Sequence, residues 1–483
     1  MSAKEQLISA IVEEVLEKLQ PHLPARGAAA AAPAPARHAQ TEVRATDGLF
    51  PSVDAAVRAA AAAQARVAAM SLEQRGEIVD IVRRMCQENA ELWGRLELEE
   101  TKIGRLDHKI EKLKVIRHVP GVEMMRAEVR SDSSGLCVIE NAPWGVIAMA
   151  LPATHSVPTM AGNIINVVAA GNTAVFTPHP AARRINTQAL QAFHREIEKK
   201  TGVANVITTI ENPTIEAGAE LFAHPGVALI CVTGGPAVVQ AAMKAGKRVI
   251  AAGPGNPPVV VDCTADLDRA ARSIIEGGGF DNNLLCIGEK EVFVLERVFR
   301  GFMEAMRRAG AFELDTRQMD MLARIVFAAD EHGHQHVRRE FVGRDTQVLG
   351  EAIGVRVPPN TDLLFGETDE NHAFVQVEQM MPCVPVVRVP DFERAVEAAV
   401  RAEHGYRHTA VIHSGNLDHV TRMARAVNTT LFVHNAASVA ALGRGGPGYL
   451  SYSIATPTGE GVTTPLTFTR QRQLTVGGAL KIT

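Results

Sequence analysis

The sequence predicts an α/β protein whose parallel sheets are covered by helices on both faces, and three observations carry that expectation. Apolar runs at Val146 to Ala150, Ala174 to Thr177, Val203 to Ile210, Val227 to Val232, Val249 to Ala252 and Val259 to Asp262 alternate with helical stretches. Short continuous apolar runs fit strands buried on both sides, and the alternation fits crossover helices between parallel neighbours. The chain has 483 residues, more than one hydrophobic core supports, so several domains are expected. Its composition, 46% hydrophobic and 22% charged, is that of a soluble globular chain.

The first element is a helix. Ser2 and Glu5 have capping-box spacing, and Leu7, Ile8, Ile11, Val12, Val15, Leu16 and Leu19 recur along one face, opposite Glu13, Glu14, Glu17 and Lys18. Pro21 and Pro24 stop it, and the alanine- and proline-rich residues 25–40 are too poor in large apolar groups to pack. A helix on such a tether has no assured surface of its own body, so its stripe is expected to seek a groove on another protein or on a second copy. Its polar face is acidic, which argues against a membrane surface, and acidic residues interrupting the apolar positions argue against a secretory leader.

The body opens with an alanine-rich helix at Ser52 and a second at Ser71-Leu72-Glu73-Gln74, again with capping-box spacing. Asp132-Ser133-Ser134-Gly135 reads as a turn between two extended arms, the second continuing over Leu136 to Glu140. A net charge of −4 gives no sign of a nucleic-acid partner. No uninterrupted apolar run approaches a membrane span.

Six cysteines are present, at 86, 137, 231, 263, 286 and 383. None forms a CxxC pair or stands at zinc-like spacing from a histidine, so neither a metal site nor a disulfide framework is expected. Cys137, Cys231 and Cys263 lie in or at the end of apolar runs and are expected in the core. Cys286 differs, because Gly277-Gly278-Gly279 and the amides Asn282 and Asn283 precede it, which is loop chemistry. A thiol there suits attack on an aldehyde carbon with retention of the product as a thioester. Hydrolysis of that thioester calls for a carboxylate base to activate water, and the turn Gly253-Pro254-Gly255-Asn256-Pro257 carries none. Thr233-Gly234-Gly235-Pro236 follows an apolar strand and precedes a helix, so its amides are candidates to face a pyrophosphate, although such turns are common without a ligand.

From about Thr41 onward the chain resembles the aldehyde dehydrogenase superfamily, and within it the CoA-acylating branch of propionaldehyde and acetaldehyde dehydrogenases. The resemblance rests on Ala169-Ala170-Gly171-Asn172-Thr173, Thr177-Pro178-His179-Pro180, Gly253-Pro254-Gly255-Asn256, Phe280-Asp281-Asn282 through Cys286, Glu378 with Pro382, and His408-Thr409-Ala410. It implies an aldehyde dehydrogenase fold: a Rossmann-like NAD-binding domain over 41–252 with an oligomerisation hairpin at about 127–142, a catalytic domain over 253–448, and a return and oligomerisation strand over 449–483. It implies NAD and coenzyme A as cofactor and co-substrate, a homo-oligomer, and a short aldehyde substrate, propanal first and acetaldehyde as the alternative. Carried over residue by residue, it implies Cys286 as nucleophile, Thr154 as an oxyanion donor, and Glu378 as the residue holding the nicotinamide ribose. Pro152, Ala153, Thr177, Pro178, His179, Thr233, Gly234 and Gly235 line the cofactor. The general-base glutamate of hydrolytic members is replaced at the matching register by Ala251, so a second thiol, that of CoA, takes the acyl group. Residues 1–20 resemble an encapsulation peptide and 21–40 its linker, which implies shell or core proteins of a bacterial microcompartment as partners and its lumen as the location. A hydrolytic dehydrogenase and a non-catalytic nucleator of compartment assembly are the competing readings.

Overall fold

The computed structural model describes residues 47–478 apart from positions 332 and 334, so the helix expected over 1–20 and the linker over 21–40 lie outside the described residues. Two parallel sheets dominate. The first has six strands in the order Leu49–Phe50, Ile207–Ile210, Thr173–Thr177, Val146–Ala150, Leu229–Thr233 and Arg248–Ala252, and every pairing is parallel. Leaving aside the short edge strand, the chain order across this sheet is 3-2-1-4-5, the Rossmann half-order with a switch point beside Val146–Ala150.

Side chains alternate between its faces. Ile147, Met149, Ala174, Phe176, Cys231 and Ile250 pack on one side, while Val146, Ala148, Val175, Val232, Val249 and Ala251 pack on the other. Helix Ser156–Ala169 is buried along its whole length in the first layer. Helix Val53–Ala68 packs on the second, its start capped by Ser52, whose hydroxyl accepts from the Ala55 N–H at 3.3 Å. Helix Leu72–Glu88 begins with the expected reciprocal cap between Ser71 and Gln74. The strand read over Val203 to Ile210 is confined to Ile207–Ile210, because Asn205 turns left-handed (φ 61°) and breaks the extended run.

The second sheet has seven parallel strands in the order Phe312–Glu313, Leu364–Thr368, Cys383–Val389, Glu291–Leu295, Pro258–Val261, Thr409–His413 and Leu431–His434. The glycine-rich segment at 253–257 therefore joins the last strand of one sheet to a central strand of the other. A third, antiparallel sheet stands apart: Gly135–Pro143 pairs with Glu128–Asp132 on one side and Thr469–Gly477 on the other. The Asp132 side chain closes the hairpin turn by accepting from the Ser134 N–H at 2.7 Å. Gly135 is required there, since a β-carbon would lie 2.0 Å from the Val476 carbonyl oxygen. Val129 and Leu474 on this sheet are 60% and 59% exposed.

The cysteine expectations divide. Cys231 is buried, Cys137 is half-buried in the third sheet, and Cys263 is exposed. Cys263 lies just beyond strand Pro258–Val261, where Asp262 turns inward to accept from the N–H and hydroxyl of Thr264 at 2.7 and 2.6 Å, so its neighbour faces out. Among the described residues no helix is long and apolar enough to cross a membrane, and no group of three His, Cys, Asp or Glu side chains is arranged to hold a metal ion.

Candidate active site

Cys286 lies on a loop shaped by buried charge. Helix Leu267–Gly279 ends in three glycines, the first of which has the Glu289 carboxylate against it: a β-carbon on Gly277 would be 1.8 Å from Glu289 Oε2. Glu289 accepts from the Ser438 N–H and hydroxyl, both at 2.8 Å. Burial pushes its carboxyl up to about 7 even so. The next residue, Lys290, is fully buried and donates to the backbone and side-chain oxygens of Asn283 at 2.7 and 2.8 Å. Gln379 in turn holds the Lys290 carbonyl at 2.8 Å.

Three groups surround the half-buried Cys286. Gly255 comes from the segment between the two sheets, and the Cys286 carbonyl and the His408 ring both crowd the position its β-carbon would take. Glu378 faces the thiol, accepts from the Gly255 N–H, and is held above the usual carboxylate range by burial, with Lys290 opposing that shift. Burial, with Glu378 adding to it, pushes the Cys286 thiol up to about 12, while Lys290 and a backbone N–H work the other way. Cys286 therefore rests as a thiol, and the Lys290 charge is the main electrostatic influence favouring its ionised form. His408 is fully buried and lowered to about 4 by burial and by Lys290. Its Nδ1 is 2.8 Å from the Thr409 hydroxyl, while its Nε2 has no partner. The imidazole is therefore neutral, packed against Gly255 with one nitrogen unpartnered.

Thr154 lies in the turn between strand Val146–Ala150 and helix Ser156–Ala169. Its hydroxyl is 2.9 Å from Nδ1 of His155. Burial and the two ammonium groups of Lys112 and Lys109 hold His155 well below the usual range, so it is neutral. When Nδ1 carries the proton, the Thr154 hydroxyl accepts from it and keeps its own hydrogen for an oxyanion.

The other residues expected at the cofactor gather at one edge of the first sheet. Pro152 and Ala153 follow strand Val146–Ala150, Thr177, Pro178 and His179 end or follow Thr173–Thr177, and Thr233, Gly234 and Gly235 end or follow Leu229–Thr233. These are the carboxyl ends of three adjacent strands at the switch point, where open α/β sheets take ligands. Space beside Gly235, at the start of helix Pro236–Met243, is open, as a pyrophosphate requires. Two expectations need correction. The Gly234 N–H is not free, because it donates to the Ala252 carbonyl at 3.2 Å. His179 is exposed, and its Nδ1 closes its own turn by accepting from the Ala181 N–H at 3.1 Å.

Ala251 also differs from expectation. It is fully buried in the layer with Val146, Ala148 and Val232, whereas Cys286 packs against the opposite layer with Ile147, Met149 and Ile250. A carboxylate at 251 would thus be buried among apolar neighbours on the face away from the thiol. Alternation turns Ala252 toward the other face, and it too is apolar. Sequence reasoning gave no role to Lys290, Lys112 or Lys109 and quoted His408 only within the motif His408-Thr409-Ala410. Their signal is burial beside the reacting loops, which spacing does not reveal.

The Aldehyde dehydrogenase family profile matches residues 30–447. The chain is 43% identical to the acetaldehyde dehydrogenase (acetylating) EutE of Salmonella typhimurium, over 90% of this chain and 93% of that one. A propionaldehyde dehydrogenase from the Clostridium phytofermentans fucose utilisation bacterial microcompartment is 39% identical and superposes with a TM-score of 0.87, covering 90% of this chain and all of that one. A Rhodopseudomonas palustris propionaldehyde dehydrogenase with bound CoA and an acylated cysteine is 36% identical, with a TM-score of 0.87 over 90% of this chain and 99% of that one. With its Rossmann-ordered sheet, its second parallel sheet and its cysteine loop between them, the chain belongs to the aldehyde dehydrogenase family.

Proposed function

We propose that Cys286 is the nucleophile of a CoA-acylating aldehyde dehydrogenase. The observation that carries this reading is the setting of the thiol: half-buried on a loop against Gly255, with the buried Lys290 ammonium near enough to favour its ionised form. The acylated cysteine of the Rhodopseudomonas palustris relative supports it. The Cys286 sulfur adds to the aldehyde carbon, and its proton leaves to solvent. Backbone N–H groups at Cys286 and the Thr154 hydroxyl stabilise the oxyanion. Bound NAD would supply the hydride acceptor for oxidation of the thiohemiacetal. Glu378 would hold the ribose end of that cofactor, and the strand ends at Ala153, Pro178 and Gly235 would hold the rest. The acyl group left on Cys286 then passes to the CoA sulfur, releasing the Cys286 thiolate, in a thioester exchange close to balanced in energy.

The substrate is a two- or three-carbon aldehyde. Propanal suits the microcompartment relative, and acetaldehyde suits the more similar EutE. Residues 1–20 direct the enzyme to shell or core proteins of a microcompartment, and the third sheet joins subunits through Val129 and Leu474. One assay tests the chemistry: NADH formation across an aldehyde panel, with and without CoA. Sustained turnover only with CoA, fastest on propanal or acetaldehyde, is expected. Steady conversion to free acid without CoA would favour a hydrolytic enzyme.

A further inference from the structure

Three consecutive residues ahead of Cys286 have left-handed backbone: Asp281 (φ 48°), Asn282 (φ 57°) and Asn283 (φ 59°). Left-handed geometry costs an L-residue roughly 1–2 kcal/mol, less for Asn and Asp, so a run of three persists only where the surroundings over-determine it. Each residue has its own buried clamp. Asn283 is held by Lys290, and its Nδ2 donates to the Glu289 carbonyl at 2.9 Å. Asn282 donates to the Gly343 carbonyl at 2.9 Å and to Asp345 at 2.8 Å. Asp281 accepts from the Arg105 N–H at 2.8 Å and from the Lys112 ammonium, and its own N–H donates to His108 Nδ1 at 2.8 Å.

The third clamp reaches further than the other two. The Lys112 ammonium that binds Asp281 also donates to the Thr154 carbonyl at 3.1 Å. Lys109, one turn earlier on helix Leu106–Lys114, reaches the same oxygen at 3.4 Å and pairs with Glu97 at 3.0 Å. The other Glu97 oxygen accepts from the Val157 N–H at 3.1 Å, at the start of helix Ser156–Ala169. All four charged side chains are buried: Lys109 1%, Lys112 0%, Glu97 2% and Asp281 0% exposed. Buried ion pairs seldom stabilise a fold more than apolar packing would, so stability alone is a poor account of four charges at this junction. What they join is specific. The Thr154 turn follows a strand of the first sheet, and the Asp281 turn precedes a strand of the second.

We propose that Lys112 is a positioning residue for acylation of Cys286: its ammonium, shared between the Asp281 carboxylate and the Thr154 carbonyl, sets the cysteine loop against the oxyanion loop across the two sheets. The proposal rests on the reading of Cys286 as nucleophile. Lys112 acts through Asp281 and Thr154 and does not touch the substrate.

The test is the pre-steady-state burst of NADH at saturating aldehyde and NAD. Lys112→Met alone leaves Asp281 buried without a cation, so it is paired with Lys112→Met/Asp281→Asn, in which neither charge remains and Asn keeps the left-handed turn. A burst rate about 100-fold lower in the double variant is expected, the size of effect an ångström-scale misplacement produces. The KM for aldehyde should stay within about threefold and the melting temperature should be close to that of the parent, which a merely structural role would not give. A burst within about threefold of the parent, or a loss that follows the unfolded fraction in both variants, overturns the proposal. Cys286→Ala in the same assay separates the two claims: a surviving burst there would remove the nucleophile assignment, whatever Lys112 does.

Discussion

Gly255 and Cys286 are in contact through backbone alone: a β-carbon on Gly255 would lie 2.5 Å from the Cys286 carbonyl oxygen and 2.9 Å from Cγ of His408. Neither neighbour is the free end of a flexible chain, so the loop must move if a side chain is added. Gly255→Ala is expected to lower kcat by about 10- to 100-fold through displacement of the thiol, at a stability cost of about 1–3 kcal/mol from overpacking. Steady-state kinetics and thermal melting check both figures, and an unchanged kcat would mean that the contact does not set the thiol's position.

Removing the nucleophile separates chemistry from binding. Cys286→Ala should abolish NADH formation while NAD binding and melting stay near those of the parent, because only the covalent step is lost. Mass spectrometry of the parent with aldehyde and NAD, CoA omitted, should find one acyl group per chain, on the peptide containing Cys286. An acyl group on Cys263, the exposed thiol, would reassign the site.

The raised thiol predicts an unusual pH profile. With Cys286 pushed up to about 12, the thiolate fraction grows about tenfold per pH unit across the working range. Iodoacetamide labelling of the resting enzyme should therefore climb with unit slope from pH 7 to pH 10 without a plateau. Lys290 opposes the upward shift, so Lys290→Met should slow labelling at every pH in that range. A plateau near pH 8 would show a thiolate already stabilised at rest.

How much of this was legible in the sequence depended on range. Val146 to Ala150 was read to the residue because a strand buried on both faces is one unbroken apolar run. Cys286 was legible as loop chemistry because glycines and amides flank it. The register match named Ala251 but not the layer it enters, since a motif fixes position along a strand and not which face of a sheet a side chain packs on. The strand near Val203 was overextended because nothing local marks Asn205 as left-handed. Lys112 was illegible for a different reason: its partner Asp281 lies 169 positions away in sequence, while Lys290 and His408, bonded to the nearby Asn283 and Thr409, show no sign in the sequence that they are buried beside the cysteine loop.

The tether and the third sheet give two further outcomes. Deleting residues 1–40 should leave kcat and melting nearly unchanged, while residues 1–20 fused to a fluorescent protein should carry it into compartments in a host that makes the shell. Leu16→Glu should disperse that signal by placing a charge on the apolar stripe. Unfolding of the truncated enzyme, together with diffuse fluorescence, would mean that the segment belongs to the enzyme's own core.

For the third sheet, Val129→Lys with Leu474→Lys should lower the mass measured by light scattering to that of a single chain, because two apolar contacts become like charges at an interface. An unchanged mass would place the subunit contact elsewhere.

The pairing of Gly135–Pro143 with Thr469–Gly477 bears on how the protein is made. Thr469 Oγ1 donates to Asn141 across 328 positions of chain, and both parallel sheets, apart from the edge strand Leu49–Phe50, lie in the interval. At about 5–20 residues per second, a ribosome delivers Gly135–Pro143 tens of seconds before its partner exists. Until then that strand has one open edge, and exposed unpaired edges recruit other chains. The hazard falls on the nascent polypeptide, and slow synthesis of the intervening segment should favour aggregation at this hairpin before any enzyme has formed.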